Sequence, residues 1–118
     1  MKIIITNNPM VRDRLLGQSS WAIEFYDTNY LGVLKAVRDK IHLGYGLLTH
    51  PLSGSVKPNE SPYKSLLISE NPEDVDPQSV SIIEESILTV RKFPKKHISE
   101  QCLHDLQTVD LALIQSAL

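Results

Sequence analysis

One cysteine, seven aromatic residues and no long apolar run mark what this 118-residue chain does without. A single thiol forms no internal disulfide, which suits a reducing compartment, so a cytoplasmic location is the expectation. No run approaches the ~20 apolar residues that span a bilayer. The opening MKIIITNNP carries only three isoleucines and no small-residue cleavage site, so no signal peptide is expected. Few aromatics, no stacking pattern and a net charge of −2 argue against a nucleic-acid partner. The phosphate-cradling patterns G-x-x-x-x-G-K-[ST] and G-x-G-x-x-G are both missing. His42, His97 and His104 show no metal-ligand spacing, so no metal site is expected and a cofactor stays unassigned.

What is present describes one α/β domain over residues 1–118. KIIIT (2–6) is a continuous β-branched run, the pattern of a strand covered on both faces. A short helix opening at Pro9 and a second strand in WAIEFY (21–26) follow. Tyr30, Leu34, Val37 and Ile41 then recur at helical spacing, with Asp27 or Thr28 as cap and Gly44 as stop. YGLLTH (45–50) and SLLIS (65–69) read as third and fourth strands. Asp76 with Pro77 starts a third helix whose stripe is Val80, Ile83, Ile87 and Val90. Ser99 caps the last helix, with Leu103, Leu106, Val109 or Asp110, Leu113 and Ala117 along one face. The expected architecture is a three-layer α/β sandwich. Its sheet is small and mostly parallel, about four strands and Rossmann-like, with a C-terminal helix pair.

The chemistry gathers in THPLSGSVKPNESPYKS, residues 49–65, an irregular stretch longer than compact domains usually carry. In open α/β sheets ligands sit beyond the carboxyl ends of strands, here Thr6-Asn7-Asn8 and Thr49-His50. Ser53, Gly54 and Ser55 can turn backbone N–H groups toward one point, and Lys57 adds a charge suited to phosphate or carboxylate. Thr6, Asn7, Asn8, His50, Ser53, Gly54, Ser55 and Lys57 are therefore the candidate ligand-binding residues. A purely structural loop remains the alternative. His50 is a candidate acid–base catalyst or, equally, a cap for local backbone. Arg12 and Arg14 are candidate anion clamps or a solvated pair, and Cys102 reads as an inert core thiol. Charge is uneven: residues 1–68 hold eight Lys/Arg against five Asp/Glu, and residues 69–118 hold four against nine. That asymmetry can orient an anion or a partner toward the first half.

IITNNP, VRDKIHLGYGLLTHPLSGSVKPNESPYKSLLIS and DLQTVDLALI together resemble the GrdX family. Its members are small bacterial proteins encoded beside the glycine, sarcosine and betaine reductase genes of amino-acid-fermenting anaerobes. The matching motif positions are Thr6, Asn7, Asn8, Arg38, His50, Pro51, Gly54, Ser55, Lys57, Pro58 and Tyr63, none with an assigned role. The resemblance implies an accessory protein linked to a reductase system; the apolar surface of residues 109–118 and the uneven charge add a reductase-complex protein or a second copy of the chain as candidate partners. It implies no reaction. Three functions stay open: anion binding at residues 49–58, a protein-interaction module, and an enzyme using His50.

Overall fold

Three isoleucines set the centre of the fold. The computed structural model describes residues 1–53, 60–95 and 97–118. In it β1 (Lys2–Thr6) is the middle strand of a three-stranded sheet ordered β2-β1-β3. β2 (Trp21–Phe25) pairs with β1 in parallel and β3 (Ser65–Ile68) pairs antiparallel. Ile4 and Ile5 point to opposite faces and both are 0% exposed, as a strand buried on two sides requires.

Two helices cover each face. α1 (Pro9–Leu15) and α4 (Glu100–Ala117) bring Val11, Leu15, Leu111 and Ile114 against Ile4 and Leu67. On the other face α2 (Tyr30–His42) lays Val33, Leu34, Val37 and Ile41 against Ile5, Leu66 and Ile68. α3 (Pro77–Lys92) packs Ile83, Ile87 and Val90 into the same core, chiefly against α2. The caps are local and readable. Asn8 accepts from Met10 N–H with Pro9 following, Asp76 accepts from Gln78 and Ser79 N–H, and Ser99 accepts from Cys102 N–H. α2 is capped by Asn29, not by the expected Asp27 or Thr28. Gly44 ends that helix's turn at φ 106°, where a Cβ would collide with the Glu73 carbonyl.

The layers agree with expectation, but the sheet does not. It is mixed and three-stranded, not a mostly parallel, Rossmann-like sheet of about four strands. Residues 45–50 make only an isolated antiparallel bridge, Leu47 to Ile68. Leu48 N–H reaches Leu67 O and Ser69 N–H reaches Gly46 O, while Leu67 N–H is taken by the Thr49 hydroxyl. A side chain there occupies a backbone place, so the ladder does not extend. β3 runs antiparallel because it returns alongside the segment before it, as the antiparallel bridge Leu47–Ile68 shows; a parallel return needs a crossover, usually a helix. The C-terminal helices are no pair either. α3 lies against α2 and α4 against α1 and β3, on opposite faces.

Candidate functional site

The end of β1 and the start of β3 are joined by a buried polar network, and α4 closes it. Thr6 Oγ1 and Ser65 Oγ lie 2.6 Å apart, and Asn8 N–H donates to Thr6 Oγ1. Asp110, 5% exposed, accepts from Ser65 N–H at 3.1 Å, Ser65 Oγ at 2.7 Å and Asn8 Nδ2 at 3.0 Å. A buried carboxylate is tolerated when several donors converge on it. Asn8 Nδ2 also donates to Gln107 O, so this one side chain caps α1 and fastens it to α4.

Asn7 ties down the long loop. Its Nδ2 donates to Thr28 O and Pro62 O, both at 2.8 Å, and its Oδ1 accepts Lys64 N–H. At the loop's other end the buried Tyr30 hydroxyl donates to Pro51 O at 2.8 Å. His50 is exposed; its Nδ1 accepts Leu52 N–H and its carbonyl accepts Ser53 N–H, making a tight local turn. Of the expected site residues, Thr6, Asn7 and Asn8 come together in the network. Ser53 lies at the cavity described next, and His50 stands at its own turn. Gly54, Ser55 and Lys57 lie outside the described residues.

Between loop and α4 is a small cavity, about 20 Å³, room for roughly one water. Tyr30, Ser53, Ser61, Tyr63, Lys64 and Asp110 supply its polar wall. Leu106, Val109 and Leu113 of α4 form the apolar rim. Lys64 is 4% exposed, and its ammonium donates to Ser53 O at 3.1 Å and Ser53 Oγ at 3.2 Å. Burial pushes its pKa below the usual lysine value, and the negative charge of Asp110 partly opposes that shift. Burial, with Asp110 second, holds the Tyr30 phenol well above its ordinary range, so it acts as a donor.

Lys64, Asp110, Tyr30 and Ser61 were not picked out as site residues from the sequence. One signal was there: Asp110 interrupts an otherwise apolar helical stripe, and such carboxylates are rarely buried unpartnered. Lys64, flanked by Tyr63 and the strand, looks like ordinary loop charge. Arg12 pairs with Asp13 and lies over the Phe25 ring, at 4.5 Å from its centre, away from this cavity. Cys102, expected in the core, is exposed; α4 buries only Asp110, Leu111 and Ile114, all in its C-terminal half. Among the described residues, no group of three or more His, Cys, Asp or Glu is placed to hold a metal ion. No described helix is long and apolar enough to cross a membrane.

A family model described as GrdX-like protein matches residues 3–118. The chain belongs to the GrdX-like family. The match takes in β1, the whole loop and α4, so every part of the network lies within it. Membership supports an accessory protein of the glycine reductase type. Comparison with curated proteins finds no match, and comparison with solved structures finds none.

Proposed function

We propose that this GrdX-like protein is an accessory protein of the glycine reductase type that binds a small anion, phosphate or carboxylate. The site is the cavity between α4 and Ser53, Ser61, Tyr63 and Lys64; being water-sized, it takes one oxygen of the anion and leaves the rest of the ligand at its mouth. The observation that carries the reading is the Lys64 ammonium, buried at the cavity and held by the carbonyl and hydroxyl of Ser53 rather than by a carboxylate. A buried cation without a direct ion pair is costly, and a bound anion supplies the missing counter-charge. Ser53, Ser61 and Tyr63 hydroxyls offer further donors around it. Asp110 sets the polarity: its carboxylate repels an anion, so the ligand's charge belongs on the Ser53 side of Lys64.

A thermal-shift series with phosphate, acetate and glycine tests this on the parent and on Lys64→Met. A ligand at 100 times its Kd adds ~2.7 kcal/mol, several degrees in midpoint for a domain of this size. The parent should shift and Lys64→Met should not. Equal shifts in both proteins, or none in the parent, would sink the reading.

A second reading, an interaction module for a reductase-complex protein, draws on α4. Val109 is 42% exposed and Leu103, Leu106 and Leu113 are only half-buried. Because Leu111 and Ile114 are core, shortening α4 would unfold the protein; Leu103→Glu, clear of the cavity lining, is the variant that probes this helix. Loss of capture of the reductase complex in Leu103→Glu, with ligand shifts intact, favours the second reading. Catalysis by His50 has less behind it, since its Nδ1 is committed to Leu52 N–H.

A further inference from the structure

The two edges of the sheet are finished differently. On the outer side of β3 four backbone groups that face away from β1 have partners. Ser65 N–H goes to Asp110, Leu67 N–H to Thr49 Oγ1, Leu67 O to Leu48 N–H, and Ser69 N–H to Gly46 O. β2 has nothing comparable. Tyr26 N–H donates to Thr6 O, so Ala22, Glu24 and Tyr26 point their backbone groups at β1. By the two-residue period, Trp21, Ile23 and Phe25 point theirs outward. Among the described residues no group hydrogen-bonds those outward N–H and C=O groups. All five residues of β2 are only partly buried, and the strand has no proline or bulge to blunt it.

We infer that this open edge is an interface with a second copy of the chain, β2 against β2 in antiparallel register centred on Ile23. The self-complementarity comes from the parity. With Ile23 opposite the partner's Ile23, Trp21 falls opposite the partner's Phe25, and every outward N–H and C=O finds a match. The side chains agree with this register. Trp21, Ile23 and Phe25 share the α1 face, so the aromatic pair meets on both sides of the axis. On the other face Glu24 lands opposite the partner's Ala22, not opposite its own copy. No like charges are set against each other. Leu16, 69% exposed just after α1, borders the same edge through Leu15, whose carbonyl accepts the Trp21 indole N–H. The product is one continuous six-stranded sheet whose outer edges are largely occupied by Asp110, Thr49 and residues 46–48. The interface is independent of the Lys64 cavity, which lies across the sheet beside β3.

Sedimentation equilibrium and hydrogen–deuterium exchange of the full chain, each run across a concentration series, test the inference. The mass should rise from one chain to two. Over the same range the Trp21, Ile23 and Phe25 amides should gain protection, while Ala22 and Glu24, already bonded to β1, change little. Ala22→Glu opposes carboxylates at two symmetry-related places and should weaken the dimer about tenfold; Ala22→Lys opposes ammonium to Glu24 and should tighten it. A chain that stays monomeric overturns the proposal and leaves the edge for another protein's strand. A dimer whose Trp21, Ile23 and Phe25 amides exchange at the monomer's rate also overturns it, and points to another face such as α4.

Discussion

Replacing Asp110 by Ala removes the side chain that ties α4 to the start of β3 and to Asn8, the cap of α1. Three hydrogen bonds go at once. Asn8 Nδ2 keeps Gln107 O and the Ser65 hydroxyl keeps Thr6, but Ser65 N–H loses its partner in a buried place. An unsatisfied buried donor costs ~1–3 kcal/mol, and bonds to a charged acceptor contribute ~1.5–3 each. Against that, removing the carboxylate recovers its desolvation, and the adjoining cavity can admit a water. The net expectation is a loss of about 3 kcal/mol, a large share of the ~5–15 typical of a domain. Urea unfolding followed by circular dichroism measures it, with the slope unchanged if the denatured state is. At about 4 °C per kcal/mol, the thermal midpoint should fall by about 12 °C. Asp110→Asn keeps an acceptor for Ser65 N–H but turns an amide donor toward Asn8, so it should cost about half as much. A cycle with Asn8→Ala should show coupling of about 1 kcal/mol. An Asp110→Ala loss below about 1 kcal/mol would refute the argument that this carboxylate is the tie.

Two further outcomes follow from the same structure. Gly44→Ala combines a positive φ with a clash against the Glu73 carbonyl and should cost roughly 2–3 kcal/mol by urea unfolding. Gly17→Ala, at φ 83° with open space around it, should cost about 1, and equal losses would show that the clash is not felt. Lys64 has a folded pKa below the ordinary 10.5, so between the two values the unfolded chain holds a proton that the native state has released. Stability should therefore rise with pH through that window, by at most about 1.4 kcal/mol per unit, and level off above 10.5. The rise should be absent in Lys64→Met; a flat or falling parent curve would mean the cation is stabilised where it sits.

The sequence by itself determined the four helices, three of the four expected strands and the starts of three helices; the strand expected at 45–50 is only a bridge. KIIIT had to be a strand buried on both faces, since three β-branched residues in a row can be covered only from both faces; its central place comes from the pairing. Pro9, Pro77, Asp76, Ser99 and Gly44 start or stop helices through bonds to residues at most four away, and local bonds are legible in a linear string. The stripe of α3 was equally plain. Tertiary structure alone decided how the pieces meet. Strand direction and number depended on which way residues 49–65 turn the chain, and no local pattern encodes that. The buried face of α4 is not legible in its sequence, because the helix is apolar on more than one side; only contact with Ile4 and Leu67 selects Leu111 and Ile114. The site divides in the same way. Thr6, Asn7 and Asn8 stood out as a strand end rich in donors, but their partners Ser65, Lys64 and Asp110 lie 57 to 102 residues away. A charge becomes buried, and so chemically distinctive, only when distant segments close over it. The chain writes the side chain down; the fold decides whether water still reaches it.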